Sequence, residues 1–355
     1  MKNVSPSHRS DGSDSAARGA AIRLLRAVGR EQAELYALAD EVRHEVVGDE
    51  VFVRGILEFS NVCARQCDYC GIRAENRKVR RYAMSADEIL EAARHMPASG
   101  QTTVVLQSGE SPAFGDRALG ELIRRIKAET PLAVTLSVGA RPGDVYRYWR
   151  DCGLDRFLIR FETSDAALYA RLHPDSTLEE RLDCIRALQD LGVQAGSGFL
   201  VGVPGETVET LADNVLLCRT LELDMIGIGP FIAHPDTPLA GRGNAYASEP
   251  EMLFKALAVL RLFNPAAHIP ATTAYDAFFP GEGRDLALQR GANVFMPNCT
   301  PVRYRKDYLL YPGKPCVDES AEQCSQCVLH RIRALGRTIG QGPGHSLKHH
   351  RAERA

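Results

Sequence analysis

The run Ser60-Asn-Val-Cys63-Ala-Arg-Gln-Cys67-Asp-Tyr69-Cys70-Gly-Ile-Arg73 places three cysteines in the spacing C-x3-C-x2-C, with an aromatic residue directly before the last. Thiolates are soft ligands that suit iron–sulfur clusters and zinc. A short loop carrying three of them wraps one side of a cubane and leaves one metal position without a protein ligand. Open positions are where metal sites do chemistry. A zinc knuckle with a distant fourth ligand is the competing reading. Zinc sites usually show paired C-x2-C units, whereas the first gap here is three residues and no second pair lies nearby. The spacing favours an open 4Fe–4S cluster.

The loop follows a β-rich run over 51–59, and seven further β-rich runs follow at 102–107, 132–137, 156–161, 193–201, 225–230, 269–273 and 293–296. Amphipathic stretches with helical spacing lie between them, at 85–95, 119–129, 178–191, 207–221 and 249–262. Strand–helix alternation repeated eight times predicts parallel strands closed into a complete (β/α)8 barrel of the TIM type over 51–300. Polar residues gather where the strands end, at Gln107 to Glu110, Thr135, Ser137, Arg160, Glu162, Thr163, His234, Thr272 and Thr273. In a parallel barrel those ends share one mouth, and the cysteine loop leaves the first strand there.

The 355 residues suit one such barrel with extensions, since the fold commonly needs roughly 250. Residues 1–19, rich in Ser, Asp, Arg and Gly and without an apolar centre, predict a disordered leader rather than a signal peptide. Helical spacing over 20–47 predicts a helical segment, 20–50, capping the bottom of the barrel. An extension is expected over 301–340 and a flexible basic tail over 341–355, whose histidines are read as solvated. With 43 Lys and Arg against 45 Asp and Glu, a formal net charge of -2, there is no general electrostatic case for nucleic acid or an anionic membrane. No apolar run approaches the ~20 residues of a membrane helix. Ten cysteines spread over a long chain, some of them clustered, point to metal and a reducing, cytoplasmic compartment.

The C-x3-C-x-aromatic-C loop resembles that of the radical S-adenosylmethionine superfamily. The resemblance implies that the open iron binds S-adenosylmethionine, and that an electron from the cluster cleaves it to a 5'-deoxyadenosyl radical. The runs CDYCGIRAENRKVRRY (67–82), VVLQSGES (104–111), RFETS (160–164), HPDS (173–176), GIGPFIAHPDTPL (227–239), IPATTA (269–274), GANVFMPN (291–298) and LLYPGKPC (309–316) extend the likeness over nearly the whole chain. Together they resemble the HydE family of FeFe-hydrogenase maturases, which shares a barrel-forming branch with biotin synthase and methylornithine synthase.

The resemblance implies that Cys63, Cys67 and Cys70 hold the cluster and that the backbone at Tyr69 meets the adenine edge. Ser108, Gly109 and Glu110 would receive the methionine amino group, with Glu162 and Arg181 as further S-adenosylmethionine residues. Read from sequence alone, Arg181 in EERLDCIRAL is a solvated helix charge; as a cofactor residue, its fork suits a carboxylate. Leu200, Val201 and Gly202 would bring bare backbone to the adenine. Thr135, Ser137, Arg160, Thr272, Thr273, Tyr308 and Tyr311 would line the substrate end. That substrate would be an organometallic iron complex carrying carbon monoxide, cyanide and cysteine, Fe(CO)2(CN), made by a partner maturase. The one-electron donor would be a ferredoxin or flavodoxin.

Cys316, Cys324 and Cys327 form a second group, C-x7-C-x2-C. In a subset of the family such residues hold an accessory cluster, 2Fe–2S or 4Fe–4S, not required for the radical chemistry; zinc is the competing occupant. Cys152, Cys184 and Cys218 fall in helical patterns and read as small buried residues. Cys299 is expected near the mouth, with a role left open. Two other functions fit the same residues: a methylornithine-synthase-like enzyme acting on an amino acid, and a non-catalytic iron–sulfur scaffold.

Overall fold

The computed structural model describes residues 11–112 and 114–348. Its strands, in chain order, are β1 Glu50–Ser60, β2 Thr103–Ser108, β3 Ala133–Ser137, β4 Arg156–Leu158, β5 Gln194–Ser197, β6 Leu200–Val201, β7 Met225–Ile226, β8 Gly229–Pro230, β9 Pro270–Ala271, β10 Val294–Phe295 and β11 Thr338–Ile339. The parallel order β7-β5-β4-β3-β2-β1-β10-β9 curls round, and a parallel bridge from Met225 to His268 joins its two ends. Ile226 N–H donates to His268 O (2.9 Å) across that seam. Each of the eight β-rich runs contributes to this ring. β1 is buried along most of its length, as a strand covered on both faces must be.

Two of the runs, 193–201 and 225–230, split into the pairs β5, β6 and β7, β8. Gly198 sits at the first break with φ +151°, and a Cβ there would stand 1.9 Å from Gly227 O. Two strands therefore approach backbone to backbone at this point, which only glycine allows. β6 and β8 then pair separately beyond the break.

The helices are α1 Asp11–Leu25, α2 Gly29–Val47, α3 Ala86–His95, α4 Asp116–Glu129, α5 Gly143–Asp151, α6 Ala166–Leu172, α7 Leu178–Asp190, α8 Val208–Thr220, α9 Met252–Phe263, α10 Thr273–Phe278, α11 Gly283–Leu288, α12 Val302–Arg305 and α13 Ala321–Ala334. Three expectations about the ends of the chain need correction. Helix α1 begins at Asp11, inside the segment expected to be a disordered leader; residues 1–10 lie outside the described residues. Helices α1 and α2 pack on the flank of the barrel against α8 and α9, with Arg18 paired to Asp213 (2.6 Å), so they do not cap its bottom.

The bottom is closed by part of the segment expected to be a flexible tail. Arg156 Nη2 donates to Pro343 O (2.6 Å), Arg54 Nη2 to Gly344 O (3.1 Å), and Gln194 Nε2 to His345 Nδ1 (2.7 Å). Ser346 N–H donates to Gln194 Oε1 (2.9 Å). Buried guanidinium groups require acceptors, and this stretch supplies them from its backbone. His345 is therefore a bonded residue, not a solvated one; His349 and His350 lie outside the described residues. Ending the chain at Gly342 would orphan these donors, at about 1–3 kcal/mol each. A fall in Tm of roughly 5 °C or more is expected by calorimetry, and an unchanged Tm would show the plug to be dispensable.

Candidate active site

The carboxyl end of β1 delivers the cysteine loop to the barrel mouth. Asn61 anchors its base: Nδ2 donates to Arg80 O (2.8 Å) and Asp307 O (2.7 Å), and Oδ1 accepts from Tyr82 N–H (2.8 Å). Ala64 N–H donates to Glu110 O (2.8 Å) and Asp68 N–H to Leu172 O (2.9 Å), tying the loop to the ends of β2 and α6. Arg81 braces it from beneath, donating to the carbonyls of Asn61, Ile72 and Arg73. Burial raises all three thiols, Cys70 to about 12, and neighbouring sulfurs add to the effect at Cys67. Without metal they are protonated, so loading releases protons as the thiolates form. Among the described residues no three His, Cys, Asp or Glu side chains converge as ligands of a single ion. Three thiolates on one loop suit either a cluster, at one thiolate per iron, or zinc.

Around the loop stand the carboxylates and guanidiniums. Glu110 receives Arg65 Nε (2.5 Å) on one oxygen and lies 3.4 Å from Arg181 Nη2 on the other. Arg181 is buried and donates through Nε to Tyr169 Oη (2.9 Å), so the solvated helix charge is corrected: α7 aims this side chain into the mouth. Glu162 accepts from Tyr69 Oη (3.1 Å). Its other oxygen is 3.0 Å from Arg160 Nη2 as an ion pair, yet it accepts no hydrogen bond. Glu162 also holds φ +63°, a sparsely populated conformation for a non-glycine residue that clusters at functional sites. Arg160 donates to Phe199 O (2.7 Å), and its buried Nε has no partner. Thr135 Oγ1 and His173 Nε2 are likewise buried without partners. The Arg160, Glu162 and His173 atoms and the three thiols belong to the same end of the barrel, while Thr135, mid-strand in β3 and in register with Arg156, lies deeper; buried polar groups left open in this way call for a polar ligand.

Gly139, just after β3, has φ +80°, and a Cβ there would stand 2.2 Å from the Glu110 side chain. Gly139→Ala is expected to push Glu110 off Arg181 and weaken cofactor binding about tenfold, which is ~1.4 kcal/mol. Calorimetric titration of the loaded protein would check it, and unchanged affinity would show Glu110 to be irrelevant to binding.

Ser108 and Gly109 close β2, where Gly109 N–H donates to Ser60 O (3.0 Å). The backbone at 200–202 is less bare than expected. Val201 O accepts from Asn244 Nδ2 (2.9 Å) and Phe231 N–H (2.8 Å), and Gly202 N–H donates to Glu206 Oε2 (2.6 Å). Tyr69 O already accepts from His234 N–H (3.0 Å). Leu200, Leu172, Val203 and Phe231 nevertheless form a small apolar cluster with Tyr69 against it, a wall suited to a flat ring.

At the expected substrate end, Ser137 is half-buried at the end of β3 and Thr273 opens α10. The Thr272 hydroxyl donates to Ile228 O (3.1 Å) and so braces a strand end. Tyr308 and Tyr311 accompany two residues that sequence reasoning missed, Glu58 and Lys314. These form a buried ion pair, and Lys314 lies over the Tyr308 ring (4.9 Å). The signal for Glu58 was an acid in a largely apolar strand, which it shares with Arg54. Cys299 is not at the mouth: its sulfur packs against Gly55, where a Cβ would stand 2.8 Å away, in the core.

In the second cysteine group, Arg284 Nη2 reaches Cys316 Sγ (3.9 Å), and Asn298 N–H donates to Cys324 Sγ (3.2 Å). A hydrogen bond from Cys324 lowers Cys316 to about 6. Cys324 is buried and Cys327, one helical turn on, is exposed. Replacing Cys316, Cys324 and Cys327 together with alanine is expected to lower metal content while leaving radical chemistry intact. Loss of that chemistry in a folded variant would make the second site catalytic.

Residues 57–218 match the family model of the radical SAM superfamily. The chain is 46% identical over 310 residues, 87% of this chain and 88% of the relative, to the FeFe hydrogenase maturase subunit HydE of Thermotoga maritima. It is 29% identical over 263 residues, 73% of each chain, to the 3-methylornithine synthase of Methanosarcina barkeri. Its fold superposes on methylornithine synthase (PylB) with a TM-score of 0.79 at 24% identity, covering 91% of this chain and 94% of that one.

Proposed function

The chain belongs to the radical S-adenosylmethionine superfamily and, within it, to the HydE family of FeFe-hydrogenase maturases; from that premise we propose that it reductively cleaves S-adenosylmethionine to act on a cysteine-ligated Fe(CO)2(CN) complex during hydrogenase maturation. The observation that carries the cofactor part of the reading is the Glu162 carboxylate. One of its oxygens is buried, ion-paired and without a hydrogen-bond donor, in the mouth that also presents three thiols.

Cys63, Cys67 and Cys70 would hold a 4Fe–4S cluster. When bound, that cluster supplies one electron to S-adenosylmethionine and so gives methionine and a 5'-deoxyadenosyl radical. The protein's own contribution is placement. Glu110 and Arg181 offer one acceptor and one donor for the methionine ammonium and carboxylate, held by Arg65 and Tyr169. Glu162 supplies the open acceptor for a hydroxyl or ammonium, and the apolar wall of Leu200, Phe231 and Tyr69 excludes water from the adenine side. Thr135, Ser137, Arg160, Thr273, Tyr308 and Tyr311 would face the iron complex, whose cyanide suits cationic and hydroxyl donors. A ferredoxin or flavodoxin would deliver the electron, and other hydrogenase maturases would supply and receive the iron fragment. An accessory iron–sulfur cluster at Cys316, Cys324 and Cys327 is part of the same proposal. Among the described residues no helix is long and apolar enough to cross a membrane.

Anaerobically reconstituted, reduced protein is expected to form 5'-deoxyadenosine, faster with a synthetic cysteine-ligated iron carbonyl cyanide complex than with basic amino acids. No 5'-deoxyadenosine under any condition would leave the iron–sulfur scaffold as the answer. Stimulation by amino acids alone would favour the methylornithine-synthase-like reaction.

A further inference from the structure

His173 follows α6 and lies against the cysteine loop, with one ring nitrogen turned to a sulfur. Its Nδ1 is 3.2 Å from Cys67 Sγ, and the residue is 4% exposed. The ring is fixed by packing, stacked on Tyr169 (centroids 4.7 Å, interplanar 22°) and edge-on to Tyr69 (5.7 Å, 85°). Its backbone N–H donates to Tyr169 O (2.8 Å), while the preceding carbonyl, Leu172 O, accepts from Asp68 N–H (2.9 Å), next to Cys67 itself. Both partners of the contact are therefore held on one short stretch of hydrogen-bonded backbone. A histidine buried only for packing would be expected to bond both ring nitrogens; here Nε2 has no partner, and the sulfur is the ring's polar anchor.

We propose that His173 is a positioning residue for the cluster, donating Nδ1–H to the Cys67 sulfur and raising the potential at which the centre takes its electron. A metal-bound thiolate has no proton to give, so the proton between the two atoms belongs to Nδ1. Reduction by one electron adds negative charge that is shared with the thiolate sulfurs, and a hydrogen bond to sulfur strengthens as that charge grows. The reduced state therefore gains more than the oxidised one, which is how hydrogen bonds to sulfur set cluster potentials. The inference rests on the cluster reading of the loop.

The test compares His173→Asn with His173→Leu. These side chains are similar in size and both lose the ring, but the Asn amide nitrogen stands where Nδ1 stood. In redox titrations of the reconstituted proteins followed by electron paramagnetic resonance, His173→Asn is expected to titrate close to the parent. At the parent's midpoint, His173→Leu is expected to show roughly tenfold less reduced relative to oxidised cluster, which is ~59 mV for one electron. His173→Phe keeps the stack without the donor and should match His173→Leu, which covers the case in which the smaller side chains do not fold. Equal potentials for the parent and His173→Phe, or for His173→Asn and His173→Leu, overturn the proposal while leaving the cluster reading intact. A parent protein that assembles no cluster overturns both.

Discussion

Alanine at Cys63, Cys67 or Cys70 is expected to abolish both the paramagnetic signal of the reduced cluster and the formation of 5'-deoxyadenosine. The loop offers three thiols, and metal-binding free energy here is shared among few ligands, so removing one leaves no adequate set. The fold should survive, because the loop is anchored by Asn61, Arg81 and the backbone bonds from Ala64 and Asp68 rather than by the sulfurs. Iron analysis, spectroscopy and product assay on each folded variant would check this. A single variant that keeps full cleavage activity would sink the cluster assignment.

Arg181→Lys should give the second largest effect. The guanidinium is buried between Glu110 and Tyr169, so the conservative change keeps the charge and loses the planar fork. One charge-assisted contact to a carboxylate is worth on the order of 1.5–3 kcal/mol. S-adenosylmethionine is therefore expected to bind roughly 10- to 100-fold more weakly, with iron content unchanged. Anaerobic calorimetry would decide it: unchanged affinity means that Arg181 serves Glu110 and Tyr169 only, as part of the scaffold of the mouth.

Much of this was legible in the sequence because barrel strands and ligand loops leave local marks. The β-rich runs, the helical spacing between them and C-x3-C-x2-C need no tertiary information. Arg181 was not legible as a buried group, since its helix reads as amphipathic and only the packing of α7 against the mouth turns the side chain inward. His173 was legible only as the start of the HPDS run, with nothing local to mark its contact with the cysteine loop. Residues 343–346 misled for a different reason. Gly, Pro and polar residues are the composition of a free tail, and they are also what a strandless segment needs when its carbonyls must meet buried arginines. Glu58 and Lys314 find each other across 256 positions, a separation no local pattern reports.

The closure of the barrel floor bears on how the protein is made. Arg54 on the first strand bonds Gly344, 290 positions later, and β1 pairs with β10 and β11. A chain emerging from the ribosome carries its cysteine loop early, when neither the seam beside β1 nor the floor beneath it exists. Chains emerge at ~5–20 residues per second, so the thiols wait on the order of tens of seconds before the vessel around them can close. Metal delivered in that interval would meet an open sheet rather than a barrel. Cluster insertion is thus expected to follow release of the finished chain, and a ribosome-arrested chain ending before Gly340 should retain no iron after exposure to a cluster donor.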